Sequence, residues 1–403
     1  MKIGIIDADL LGKKRHRFPN LASMKIAGWH KDNGDVVELL LSYDNILEHD
    51  IVYISKVFTD TEVPDHVLKL DNVKYGGTGF FYDKAEPLPY EIEHHMPFYD
   101  LYNDFIEREI KKGISPNEFK EYKECSIGFT TRGCFRKCEF CVNKNSNKVV
   151  IHSPLSEFVD NSRPYICLLD DNILGYPKSH EIFKQLNNSG KRFKYKQGMD
   201  ERLLTDEKCK MIANSNFIGD IYFAFDNIED KEIIINKMKL MRKYTNKIFS
   251  FYVLCGFDKQ NKYDEEFWVK DIIDTFERIY ILKELNCRPY IMRFEKYKES
   301  PFYGIYNNIA SWCNQPNFFK KMSFEKFCII RGMSSKVYTK YKNDHIKYLE
   351  DGYRKGASWV YMENFKNKYK DIAEKYFYRT NIKIESENIK LGNIEVDQFK
   401  WII

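Results

Sequence analysis

Six short apolar runs constrain this chain more than any other feature. They fall at residues 126–130, 165–169, 193–196, 221–225, 249–254 and 289–294, and polar residues follow most of them. Stretches 178–189, 206–215 and 231–244 have helical spacing and lie between runs. Short continuous apolar runs alternating with helices predict parallel strands joined by crossover helices. Six such units describe a partial (β/α)6, TIM-like barrel, whose site is built from the loops after the strands. Those loops carry Asp170-Asp171-Asn172, then Gln197, Asp200 and Arg202, then Asp226, and finally Cys255.

A second alternation precedes the first. Runs at 2–6, 36–41, 51–57 and 72–75 surround a helical stretch at 19–33 that Asn33-Gly34 ends. This predicts a Rossmann-like parallel α/β domain over residues 1–115, with crossover helices. Its Gly76-Gly77-Thr78-Gly79 loop follows a strand, where glycines let a ligand approach the backbone, but it lacks the full dinucleotide fingerprint. The aromatic stretch 96–102 should pack one domain on the other. The barrel is expected over 116–300, and a mostly helical, aromatic and basic region over 301–403. The fold class is therefore α/β throughout its first three-quarters.

The loop after the run at 126–130 holds Cys134, Cys138 and Cys141 in C-x3-C-x2-C spacing, with Phe140 before the last. Three thiolates cannot pair among themselves without leaving one over. Soft thiolates suit zinc, copper or iron–sulfur centres. A structural zinc site would normally be closed by a fourth ligand, and no second such cysteine pair exists in the chain. Cys167 and Cys255 fall near strand ends, and Cys209, Cys287, Cys313 and Cys328 show no ligand spacing, so no auxiliary cluster is indicated.

The segment Thr130-Thr-Arg-Gly-Cys134 with Cys138, Phe140 and Cys141 resembles the signature of the radical S-adenosylmethionine (radical SAM) superfamily. The N-terminal domain is similar in placement to the cobalamin-binding-like domain of one branch of it. The resemblance implies a 4Fe-4S cluster on Cys134, Cys138 and Cys141, with S-adenosylmethionine on the fourth iron and Phe140 against its adenine. It transfers to Asp170, Asp171 and Asn172 the contact with the amino group of S-adenosylmethionine; capping of the next helix is the alternative. Gln197, Asp200, Arg202 and Asp226 are placed for the ribose and carboxylate of that cofactor, or for salt bridges on the barrel rim. The branch's cobalt-ligating members carry D-x-H-x-x-G, whereas Asp7-Ala-Asp9-Leu-Leu-Gly12 has no His between Asp and Gly, which puts cobalamin in question. A one-electron reductant such as flavodoxin or ferredoxin is the implied partner. The implied activity is reductive cleavage of S-adenosylmethionine and hydrogen abstraction from a substrate the sequence does not name.

Composition narrows the alternatives. With 403 residues, 43% hydrophobic and 31% charged, the chain should bury a core. No apolar run reaches membrane-spanning length, and residues 1–7 read as a strand and not as a signal peptide. A reducing cytoplasm with free thiols is expected. Net charge is +5, and residues 331–379 hold twice as many Lys and Arg as Asp and Glu. Their interleaved tyrosines fit either a nucleic-acid groove or an amphipathic helical lid. A radical enzyme modifying tRNA or another nucleic acid, and a non-catalytic iron–sulfur or zinc protein, are the competing functions. Two smaller features are the basic run Lys13-Lys14-Arg15-His16-Arg17, read as a solvated loop or a phosphate contact, and the pair His94-His95, read as structural or surface residues.

Overall fold

The structure is a computed structural model that describes residues 1–379 apart from 14, 15, 17, 144 and 145. The chain divides into two compact units, residues 1–197 with 215–219, and residues 198–214 with 220 onward. The border falls inside the stretch expected to form one barrel.

The first unit begins with β1 (Lys2–Asp7), α1 (Ala8–Gly12), α2 (Leu21–Asp32), β2 (Val36–Leu39), β3 (Ile51–Ser55) and β4 (Val73–Gly76). All four strands are parallel, in the order β2-β1-β3-β4. Asn20 caps α2 by accepting from the Ser23 amide at 3.0 Å, and Gly34, at φ +83°, takes the chain out of it. Apolar residues pack on both sides of the sheet. Ile3, Ile5, Met24 and Ala27 belong to one core, and Ile6, Val52, Ile54 and Val67 to another. Only the first crossover is a full α-helix; the links β2–β3 and β3–β4 carry single 3-10 turns at Ile46–Glu48 and Val67–Lys69. The glycine loop leads into α3 (Thr78–Phe81). Gly77 sits at φ +107°, and a Cβ there would lie 2.3 Å from the Lys56 carbonyl oxygen. What approaches these glycines is the chain itself.

Short helices α4 (Tyr90–Glu93), α5 (Asn103–Lys111) and α6 (Lys120–Glu124) lead to the second sheet of this unit. It contains β5 (Cys125–Gly128), then a two-residue ladder of β6 (Thr131–Arg132) against β7 (Val150–Ile151), then β8 (Tyr165–Leu168), α7 (Ser179–Asn188) and β9 (Arg192–Tyr195). Strands β5, β8 and β9 are parallel neighbours in that order. The aromatic stretch 96–102 joins the two sheets as expected. Tyr102 donates to Asp7 at the end of β1 (2.9 Å), while Tyr99 accepts from the Ile127 amide of β5 (2.8 Å).

The second unit contains α8 (Asp206–Ala213), β10 (Ile221–Ala224), α9 (Lys231–Arg242), β11 (Phe249–Cys255), α10 (Glu265–Glu284) and β12 (Cys287–Arg293). Its three strands are also parallel, in chain order. Seven helices follow: α11 (Tyr303–Cys313), α12 (Pro316–Lys321), α13 (Phe324–Ile330), α14 (Ser335–Tyr341), α15 (His345–Glu350), α16 (Ala357–Lys368) and α17 (Lys370–Tyr376). Asn314 closes the edge of β12 by bonding both backbone groups of Ile291, at 2.7 and 3.1 Å, so the edge offers fewer open groups to another strand. All six strands expected for the barrel are present, each parallel to its neighbours within one of two three-stranded sheets, and the class is mixed α/β. Among the described residues, no helix is long and apolar enough to cross a membrane.

Candidate functional site

Gly128 ends β5 under the ring of Phe158, where a Cβ would sit 2.3 Å from the ring. The chain then enters the β6–β7 ladder, and the cysteine loop is what that ladder closes off. Cys134, Cys138 and Cys141 are all partly exposed, whereas the other seven cysteines are buried. Burial pushes Cys125 up to about 11 and Cys167 to about 12, which keeps them as inert thiols. Within the loop, the amide of Arg136 donates to Cys134 Sγ at 3.3 Å and that of Asn143 to Cys141 Sγ at 3.4 Å. The Tyr82 hydroxyl donates to the Phe140 carbonyl at 3.0 Å, from a residue held at φ +50°. Among the described residues, no three His, Cys, Asp or Glu side chains converge as a ready-made metal site.

Asp170-Asp171-Asn172 follows β8, and each residue holds a different part of this loop. Asp170, buried, accepts from the amide and hydroxyl of both Thr130 (3.1 and 2.6 Å) and Thr131 (2.6 and 2.7 Å). Burial raises its carboxyl against the pull of those four bonds. Asp171 takes the Gly133 amide at 2.7 Å before the first cysteine and the Asn143 side chain at 2.6 Å after the last. Asn172 donates to Cys134 Sγ at 3.4 Å, and its Oδ1 is buried with no partner among the described residues. None of this is helix capping. Asn172 occupies the N-cap position of the next 3-10 turn without a side-chain capping bond.

The remaining expected residues divide between the units. Gln197 is an exposed residue just past β9. In the second unit, Arg202 bonds Asp200 (2.7 Å) and Asp230 (3.0 Å), as the rim salt-bridge alternative expects. Burial opposes the Arg202 charge, but Asp200 outweighs it and holds the group above its ordinary value. Asp226 accepts from the Leu254 amide at 3.1 Å, and burial raises its carboxyl despite nearby Arg278. Two residues absent from the first reading are prominent here. Glu201 is buried and pushed up to about 8, by burial first and by Asp200 second. Arg278, 2% exposed, donates to the carbonyls of Phe225, Asp226 and Leu254, tying the ends of β10 and β11.

A polar clamp lies beside the β6–β7 ladder. Buried Lys25 pairs with Glu93 at 3.1 Å, His152 pairs with Glu93 at 3.3 Å, and His94 pairs with Glu157 at 2.7 Å. The rings of His94 and His152 stack with centres 5.0 Å apart. Burial would raise Glu93, yet His152 and Lys25 bring it down to about 2. His94 is thus structural, as expected.

In the basic C-terminal stretch, Tyr341, Tyr348, Trp359 and Tyr376 are buried, and Lys347, Lys355, Lys366, Lys368 and Lys375 all pair with carboxylates. This favours the amphipathic helical reading over a groove of free aromatic faces. Residues 380–403 of that region lie outside the described residues, as do Lys14, Arg15 and Arg17 of the basic run; Lys13 pairs with Asp60 at 2.7 Å. No protein-family model and no curated protein matches the chain.

Proposed function

We propose that the chain is a radical SAM enzyme. Cys134, Cys138 and Cys141 would hold a 4Fe-4S cluster, and the six parallel strands would form the partial barrel around it. When bound, the cluster and S-adenosylmethionine supply a deoxyadenosyl radical able to abstract hydrogen from a substrate. The observation that carries this reading is the contrast between three partly exposed thiols, two of them with amide donors at their sulfurs, and seven buried ones. The donor set fits a three-thiolate cluster. The loop must still draw its sulfurs together, as metal-dependent loops do.

The chain's own residues would prepare the site. Asp170 and Asp171 position the loop through Thr130, Thr131, Gly133 and Asn143. The buried Oδ1 of Asn172, without a partner among the described residues, is an acceptor suited to the ammonium of S-adenosylmethionine. Phe140, its carbonyl pinned by Tyr82, would cover the adenine. The oxygens of Asp200 and Asp226 are engaged with Arg202 and Leu254, so they would orient the rim before they touched a cofactor.

Anaerobic reconstitution with iron and sulfide tests the proposal. A 4Fe-4S absorbance and deoxyadenosine formed under dithionite are expected, and both should vanish when the three cysteines become alanine. Purified protein that carries stoichiometric zinc in place of iron would refute it. Asn172→Ala should leave folding within about 1 kcal/mol and weaken S-adenosylmethionine binding at least about tenfold, measured by equilibrium dialysis on the reconstituted protein.

A further inference from the structure

The N-terminal sheet carries a feature that the cysteine loop does not use. Strand order reverses about β1, with β2 on one side and β3 and β4 on the other. In parallel sheets, ligands settle in the crevice beyond the carboxyl ends of the strands at such a reversal. A cavity of about 680 Å³ opens there, past the ends of β1 and β3.

Its lining has a definite polarity. Lys56, directly after β3, is 9% exposed. Its ammonium donates to the Thr61 carbonyl at 3.0 Å and lies 4.5 Å from the centre of the Phe80 ring. Neither partner is an anion, and no carboxylate among the described residues is within ion-pair reach. An ammonium has three donors; the buried Asp9 carboxylate nearby is taken up by the Val57 and Phe58 amides and the Thr61 hydroxyl, and a buried cation that makes no ion pair is costly. The Tyr43 hydroxyl, which lines the same cavity, is buried with no hydrogen-bond partner among the described residues. Leu11 and Val63 supply apolar walls, while Glu62 and Asp65 are exposed at the mouth.

A ligand matched to this arrangement has an anionic oxygen group inside, a short apolar body and a cationic group outside. We propose that the cavity binds a small zwitterion of the amino-acid type, its carboxylate on Lys56 and Tyr43 and its ammonium at Glu62 and Asp65. A phosphate ester fits less well, because its dianion would face both mouth carboxylates. This site is independent of the cluster reading.

The test is calorimetric titration of the full chain with the proteinogenic L-amino acids. Each is compared with its decarboxylated amine and its deaminated acid, and inorganic phosphate and hydroxocobalamin serve as further probes. At least one amino acid should bind saturably, and neither half-molecule should come within about tenfold of it. Lys56→Met and Tyr43→Phe should each weaken that binding by about tenfold or more. Glu62→Gln combined with Asp65→Asn should weaken the amino acid but not the deaminated acid. Because Lys56 makes no ion pair in the free protein, Lys56→Met should melt no lower than the parent chain.

The proposal is overturned if no amino acid binds, or if phosphate, hydroxocobalamin or the deaminated acids bind as tightly. It is equally overturned if Lys56→Met lowers the melting temperature and leaves binding intact. Replacing Cys134, Cys138 and Cys141 by alanine should leave the titration unchanged. Failure of the cluster therefore removes only the radical reading, and failure of the titration only this one.

Discussion

Asp170 shows how a single side chain can organise a loop 40 residues before it. Its two oxygens take four bonds from Thr130 and Thr131, just past the end of β5. Asp170→Ala leaves two backbone amides without their acceptor. It should cost about 2–4 kcal/mol in urea unfolding, and it should lower iron incorporation even where the protein remains folded. Asp7 makes a different prediction. Burial pushes it up to about 7, against the bond from Tyr102. A carboxyl raised in the folded state stabilises fully below its unfolded value near 3.8, and that contribution is lost as pH rises through about 7. Asp7→Asn should therefore match the parent chain at pH 4 and exceed it at pH 8. The gap should be of order 4 kcal/mol or less, read from denaturation midpoints. At this scale the sequence singled out Asp170 and Asn172 as polar residues after a strand, but not the partners they hold. That one grips a backbone and the other a sulfur depends on partners distant in the chain, which spacing does not reveal. Glu201 and Arg278 were missed for the same reason, since burial of a charged group leaves no local signature.

Among the elements, strands were the most legible. Strands covered on both faces read as unbroken apolar runs, as β5 and β8 do, and all ten expected strands appear in the three parallel sheets, the half-exposed edge strands β2 and β4 included. The expected crossover helices in residues 40–72 became 3-10 turns. Those links hold only one or two buried apolar residues, Ile46 and Val67 among them, too few to make a helical face. The β6–β7 ladder escaped notice because two-residue strands have no period. Its neighbour, the Lys25–Glu93–His152 clamp, allows a test at this scale. Glu93→Gln removes the counter-charge of a buried ammonium and should cost about 2–3 kcal/mol at pH 7. Glu93 is held near 2, so its stabilisation is complete above about 4.5 and is lost as pH falls toward 2. The difference between variant and parent should shrink accordingly in acid.

At the scale of the molecule, the domain boundary near residue 115 is less of a seam than composition suggests. One core runs from Ile3 and Met24 through Tyr99, Tyr102 and Phe119 to Ile127 and Cys167. A fragment of residues 1–115 would lose the partners of Tyr99 and expose half of that core. It should lack a cooperative thermal transition by circular dichroism, whereas an independently folding module would keep one. The C-terminal stretch was read correctly as aromatic and basic. Its chemistry was not legible, because only the fold shows that Tyr341, Tyr348 and Tyr376 are buried and that Lys347, Lys355, Lys366, Lys368 and Lys375 have acid partners.

If the three thiols hold the proposed cluster, the short antiparallel ladder that flanks them shortens the path to it. A loop with open ends must overcome chain entropy that grows with its length before its ligands converge. Here Thr131 and Arg132 are already zipped to Ile151 and Val150, so the search is confined to a small ring. Capture of the proposed cluster would then be a local rearrangement of the polypeptide, with the knot at its base tied in advance.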